Sequence, residues 1–255
     1  MTDNNQEKIT ELEAELEHCR AENKAKSEFL SMVTHQLRTP LSGIKWTFKM
    51  LLDGDLGSFT DEQRTIIEKG SESNERMLKL LQEIIIANQN ESWDFQYNTQ
   101  PSDMQKIISN IIPEFLESAR SKSIDIKINH PDEPLPLVTV DPEKISIVFQ
   151  NLLENAVKYS EDGDTITVNC TVHDDSISIS LADTGLGIPD DAQEYIFSKF
   201  FRADNVKEIK KEGTGLGLFT AKNIVEKHNG SIRFESKKNE GTTFFITLPL
   251  STVDK

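Results

Sequence analysis

The sequence predicts a two-part α plus α+β chain, a long helical hairpin followed by an α/β sandwich with helices on one face of a mixed sheet. Three observations carry that expectation. From Ile9 to Ile84 the core-compatible positions step by three and four, the period of a helix that buries one stripe. Polar "NQNESWDFQYNTQPSD", residues 88–103, interrupts the pattern. Beyond it, period-two stretches alternate with helical ones and with glycine-rich turns.

The chain has 255 residues, which suits two modest domains, and its 36% hydrophobic content can build their cores. No run approaches the roughly 18 to 20 apolar residues that span a bilayer. The start, "MTDNNQEKIT", lacks the charged-then-apolar layout of a signal peptide, so the expectation is a soluble, unexported, cytoplasmic chain with no membrane contact of its own. Cys19 and Cys170 lie far apart in different kinds of segment, which fits a reducing compartment rather than a disulfide framework. A formal charge of -15 repels nucleic acid and anionic lipid, so no nucleic acid partner is expected. Any polyanionic ligand needs a local site.

Taken in order, Ile9, Leu12, Leu16, Cys19, Asn23, Lys26, Leu30, Val33 and Leu37 set a heptad register for a first helix. Asn23 falls at an a position, where a buried amide can fix register. The series resumes after Pro40 through Ile44, Phe48 and Leu51 and stops at "DGDLGS", which implies a helix of about 40 residues, about 60 Å long, bent at the proline. Thr60 and Gln63 have capping-box spacing and open a second helix with the stripe Ile67, Gly70, Met77, Leu81 and Ile84. One hairpin cannot bury both stripes, and a homodimeric four-helix bundle resolves that.

In the second part, residues 103–122 read as a helix and "SIDIKIN" as a strand. "DPEKISIVFQNLLENAVKYS" reads as a helix with Asp141 as N-cap and Pro142 in its first turn. "DTITVNCTV" and "SISISLAD" are strands of a hairpin turned at "HDDS". "GTGLGLFTAKNIVEKHNG" enters a helix from a glycine-rich turn, and "SIRFES" and "TTFFITLPL" close the sheet.

Two glycine-rich turns, "DTGLGIP" (183–189) and "GTGLGL" (213–218), let backbone N–H groups approach phosphate oxygens, and the second adds a helix N-terminus. Neither has Walker or Rossmann spacing. Asn151 and Asn155 share one helix face, with Lys158 and Tyr159 a turn further on. Amide oxygens there could ligate Mg²⁺ and Lys158 could neutralise phosphate; the bland reading of two helical asparagines is surface decoration.

"NLLENAVKYS", "DTGLGIP", "IFSKFFRAD" and "GTGLGLFTAKNIVEKHNG" resemble, in that order, the nucleotide-binding boxes of the sensor histidine kinases of two-component systems. These belong to a wider ATPase superfamily shared with gyrase, Hsp90 and MutL. "FLSMVTHQLRTPL" resembles their phosphoacceptor box, and the likeness covers roughly residues 24–250. The resemblance implies a coiled-coil signalling helix (1–23), a dimerisation and histidine phosphotransfer domain (24–90), a linker (91–102) and a Bergerat-type ATP-binding catalytic domain (103–250). It implies ATP and Mg²⁺, Asp183 as acceptor for the adenine amino group, Asn155 on the metal, and Asn151 and Lys158 near the phosphates. Gly185, Gly187, Gly213, Gly215 and Gly217 would give backbone access, with Tyr159, Ile188, Thr214, Leu216 and Thr243 around the nucleotide. Residues 189–212 would form a lid, Arg202 would reach the γ-phosphate, and Lys207, Lys210 and Lys211 read as solvated charge. Phe200 and Phe201 either anchor that lid or are ordinary core aromatics.

In the heptad register His35 falls at f, pointing to solvent, which removes a core explanation for it. An exposed neutral imidazole is a competent nucleophile. The resemblance makes it the phosphoacceptor, the partner a receiver domain of a response regulator, and Thr39 the orienting residue for dephosphorylating that receiver. Gln36 departs from the family, which commonly has an acid there. Two alternatives follow: an ATP-binding dimeric scaffold or phosphatase-biased variant with weak autokinase activity, and a mechanical ATPase, against which His35 and the hairpin argue. A sensor, membrane-bound or cytoplasmic, is expected upstream.

Overall fold

The computed structural model describes residues 2–89, 97–129, 134–203 and 213–251. Its contacts form two compact units, residues 1–95 and 96–255.

The first unit is a hairpin of α1 (Thr2–Asp53) and α2 (Asp61–Gln89). At 52 residues α1 exceeds the expected length, because no glycine or proline occurs before Pro40 to stop it. Pro40 takes one N–H out of the ladder, yet the helix continues to Asp53. It ends at Gly54, whose φ of +85° lies in the left-handed region open to glycine. Thr60 and Gln63 form the expected box: the Gln63 N–H donates to Thr60 Oγ1 at 3.2 Å and the Thr60 N–H to Gln63 Oε1 at 3.0 Å.

The heptad register is half of the packing story. The side chains of Ile9, Cys19, Asn23 and Lys26 lie outside the described residues, and Leu12, Leu16 and Leu37 are exposed. A second stripe, Thr34, Leu41 and Phe48, turns inward against α2. Thr34 is buried, its hydroxyl donating to the Leu30 carbonyl at 2.5 Å. Asn74 of α2 donates to the Leu41 carbonyl at 3.1 Å. Gly70 is the residue that admits Phe48, since a Cβ there would meet the ring at 2.7 Å.

The second unit runs β1 (Gln100–Ser102), α3 (Met104–Ile111), a 3₁₀ turn (Ile112–Phe115), α4 (Leu116–Arg120), β2 (Asp125–Asn129), β3 (Val138–Val140), α5 (Pro142–Tyr159), β4 (Thr165–Val172), β5 (Ser176–Asp183), α6 (Asp190–Gln193), α7 (Gly217–Lys227), β6 (Ser231–Lys237) and β7 (Gly241–Pro249). The single helix expected over 103–122 is broken because Pro113 cannot donate and tightens the chain into a 3₁₀ turn. The stretch expected to be linker, 91–102, supplies β1, which pairs antiparallel with β3.

The main sheet has the order β2-β4-β5-β7-β6, with β2–β4 parallel and the other pairs antiparallel. Alternation sorts its faces. Ile166, Val168, Ile177, Ile179, Leu181, Phe244, Ile246 and Leu248 are buried on one side. The core is completed by Ile145, Phe149 and Leu152 of α5 and by Ala221, Ile224 and Val225 of α7. Each large side chain so buried contributes about 1.5–3 kcal/mol. The other face carries Ser178, Ser180, Thr243 and Thr247, all half-buried.

Two polar pins fix α5. Asp141 caps its start, accepting from the Lys144 N–H at 3.1 Å, while the Asp141 N–H donates to Nε2 of buried His228 at 2.9 Å. Lys122 closes its end, Nζ donating to the carbonyls of Val157, Lys158 and Ser160 at 2.6, 3.3 and 3.2 Å. The helix that carries the candidate site is thus held at both termini.

Candidate functional site

In the hairpin, His35, Gln36, Arg38 and Thr39 are all exposed on α1, as position f requires for His35. The neighbouring Thr34 hydroxyl donates to the Leu30 carbonyl of its own helix.

In the second unit, the site gathers where α5, the loop after β5 and the start of α7 meet. Asn151 is buried on α5, its Oδ1 3.1 Å from where a Cβ on Gly217 would stand. Its Nδ2 is buried without a hydrogen-bond partner among the described residues. Asn155 lies one turn on, half-buried. At the end of the helix Lys158 Nζ lies 5.3 Å from the Tyr159 ring centroid. Burial raises the Tyr159 phenol above its ordinary pKa, and the nearby Arg202 charge opposes that rise. A Cβ on Gly213 would stand 2.8 Å from Lys158 Nζ and 3.8 Å from Arg202 Nε. Both cations therefore converge on the turn leading into α7. That helix begins at Leu216 without a side-chain cap among the described residues, and the N-terminus of a helix favours an anion. Thr214 Oγ1 accepts from the Leu216 N–H at 3.0 Å and shapes the turn.

The loop after β5 is built by close backbone approach. Gly187, at φ +62°, is packed so tightly that a Cβ would lie 2.0 Å from the Lys237 carbonyl oxygen. Gly185 sits against the Tyr159 carbonyl, which accepts from the Leu186 N–H at 3.0 Å, and Gly215 against the backbone of Phe200 and Phe201. Three of the five glycines expected to approach phosphate thus serve loop packing here, and Gly213 and Gly217 face Lys158 and Asn151. Ile188 is half-buried, its N–H donating to Ser236 Oγ at 2.8 Å.

Asp183 ends β5 on the inner face. Burial pushes its carboxyl up to about 6, opposed by the backbone N–H groups of Gly185 and Thr242 and assisted by Asp164. Thr243, expected around the nucleotide, lies on the other face of its strand from the side chain beside Asp183. Register pairs Asp183 with Thr242, and Thr243 with Ala182. Thr243 therefore points to the opposite face of the sheet, and Thr242 stands beside Asp183. Thr242 and its other neighbour Ser236 went unnoticed in the sequence because a strand's facing depends on register, which "GTTFF" does not state. Phe200 is 68% exposed at φ +63°, which excludes a core role for it. Phe201 is half-buried, its ring 5.6 Å from that of Tyr195. Lys207, Lys210 and Lys211 lie outside the described residues, as does part of the expected lid.

Comparison with known proteins places these two units. Residues 140–252 match the family described as histidine kinase-, DNA gyrase B- and HSP90-like ATPases, and residues 25–92 match the His Kinase A (phospho-acceptor) domain. The chain is 33% identical over 229 residues to the sensor histidine kinase WalK of Bacillus subtilis, covering 89% of this chain and 37% of that protein. It is 32% identical over 251 residues to the circadian input-output histidine kinase CikA of Synechococcus elongatus, covering 97% and 33%. It thus spans about a third of the length of these relatives. Among solved structures, full-length ShkA in complex with AMPPNP matches with a TM-score of 0.71 at 24% identity, over 89% of this chain and 46% of that one, a likeness of fold. The catalytic domain of histidine kinase ThkA matches with a TM-score of 0.53 at 28% identity, over 60% of this chain and 96% of that one. No described helix is long and apolar enough to cross a membrane. With a phospho-acceptor hairpin followed by an ATP-binding α/β sandwich in one chain, the protein belongs to the sensor histidine kinases of two-component signalling.

Proposed function

We propose that this chain transfers the γ-phosphoryl group of ATP to His35 and passes it to an aspartate of a response-regulator receiver domain. The observation that carries the reading is an exposed histidine at the family's acceptor position, in a chain whose second unit holds an anion cradle. Lys158, Arg202 and the start of α7 would take the phosphates, and Asp183 the adenine amino group. Asn151 Nδ2, buried without a hydrogen-bond partner among the described residues, suits a phosphate oxygen. Asn155 supplies a neutral oxygen fit for Mg²⁺, which, when bound, neutralises charge between the phosphates. In the transfer a ring nitrogen of His35 uses its lone pair to form the N–P bond as the O–P bond to ADP breaks, and the proton on the other ring nitrogen of this exposed side chain passes to solvent water. A glutamine at position 36 can accept a hydrogen bond from that N–H but cannot take the proton, so the step is expected to be slower than with a carboxylate.

The domain assignment follows: a signalling helix to residue 23, the phosphotransfer hairpin over 24–90, and the catalytic unit from 103 to 250 after a connecting stretch. Exposed Leu37, Ile44, Met50 and Met77 on the hairpin support a homodimeric four-helix bundle. Incubation with labelled ATP and Mg²⁺ is expected to give acid-labile, base-stable phosphoprotein that is lost in His35→Ala. Hydrolysis without phosphoprotein would point to the ATPase alternative. Gln36 favours a second reading, a kinase biased towards phosphatase action through Thr39. Comparing wild type with Thr39→Ala on phosphorylated receiver tests it.

A further inference from the structure

Three strands end in one polar row on the inner face of the sheet. Asp183 pairs with Thr242, and Thr242 with Ser236. Paired residues in antiparallel strands point the same way, so the three side chains stand side by side. The next inner row is Leu181, Phe244 and Phe234, so the polar row marks the end of the core.

The Ser236 hydroxyl touches three groups. It lies 3.0 Å from the Gly241 carbonyl, 2.8 Å from the Ile188 nitrogen and 2.8 Å from Thr242 Oγ1. A serine hydroxyl has one proton and two lone pairs. The Gly241 carbonyl has no proton to give, so that contact uses the serine's own. The Ile188 N–H can only donate, which fills one lone pair. The remaining contact is satisfied only if Thr242 donates to Ser236. The Thr242 proton is therefore committed away from Asp183, and its free lone pairs join the Asp183 carboxylate in a surface of acceptors.

We infer that Ser236 is a positioning residue that, by holding the Thr242 proton, makes this end of the sheet select a 6-amino purine over a 6-oxo purine. The inference rests on the reading of Asp183 as the base-binding carboxylate. A 6-amino group offers hydrogens to these acceptors; a 6-oxo group sets its lone pairs against theirs. Without Ser236, Thr242 can rotate and donate to a 6-oxo oxygen.

The test is equilibrium binding of ADP and of inosine diphosphate to the whole chain with Mg²⁺, by calorimetry. Wild type is expected to prefer ADP. Ser236→Ala is expected to narrow the preference about tenfold, chiefly by tightening inosine diphosphate, the worth of one hydrogen bond in a desolvated site. Adding Thr242→Val to that variant removes the rotating donor and restores the preference. A purely structural role would instead weaken both nucleotides together in both variants. If Ser236→Ala fails to fold by circular dichroism, Ser236→Cys replaces it, since a thiol is a poor acceptor and releases the same proton. An unchanged preference in a folded Ser236 variant, or an equal narrowing in the double variant, overturns the inference and leaves the kinase reading standing. Failure of wild type to bind ADP overturns the reading itself, and the inference with it.

Discussion

Asp183→Asn is expected to stabilise the nucleotide-free protein while weakening its nucleotide binding. Burial moves the Asp183 carboxyl from 3.8 to about 6, and that displacement corresponds to about 3 kcal/mol of cost for holding the charged form in the fold at neutral pH. Asparagine escapes the charge but exchanges one acceptor for an NH₂ near the Thr242 and Gly185 N–H groups, which returns about 1 kcal/mol. The net gain is about 2 kcal/mol, or about 4–8 °C in the melting temperature of a unit this size. The folded state holds the proton more tightly than the unfolded chain, so wild-type stability rises as pH falls through 6 and the full gain is reached near 3.8. Between pH 8 and pH 5.5 the wild type recovers about 1 kcal/mol of its deficit, and the gap to Asp183→Asn narrows by that amount. Nucleotide-free melts at the two pH values, followed by circular dichroism, measure it. ADP binding is expected to weaken about 10- to 100-fold, the worth of a hydrogen bond to a charged group. A variant less stable than wild type at pH 8, or a gap that does not narrow at pH 5.5, would refute the reasoning.

Gln36→Glu restores a proton acceptor beside His35 and is expected to raise the autophosphorylation rate at least tenfold, read from labelled ATP under single-turnover conditions; an unchanged rate removes the acid–base account of position 36. Gly187→Ala forces a Cβ to within 2.0 Å of the Lys237 carbonyl at a left-handed φ; a loss of about 3 kcal/mol is expected, measured as a lower urea midpoint. Thr60→Ala removes one of the two reciprocal bonds that start α2 and is expected to cost about 1 kcal/mol, visible in the unfolding of the hairpin.

Local chemistry was legible wherever a signal is complete within a few residues. The capping box at Thr60, the N-cap at Asp141 and the outward face of His35 all follow from spacing along one helix, because a helix fixes its own side-chain directions every 3.6 residues. The ordered glycine turns and the "NLLEN" helix pointed to an anion site for the same reason. What the sequence left open was long-range. Thr34 faces inward because a second helix covers that stripe, which the first helix's own period does not reveal. Gly185 and Gly187 serve contacts with Tyr159 and Lys237, partners distant in sequence. The choice between Thr242 and Thr243 turns on the pairing of β5 with β7, where one residue of slip reverses every side chain. Covalent spacing determines local geometry; only the packed sheet decides which residues meet across it.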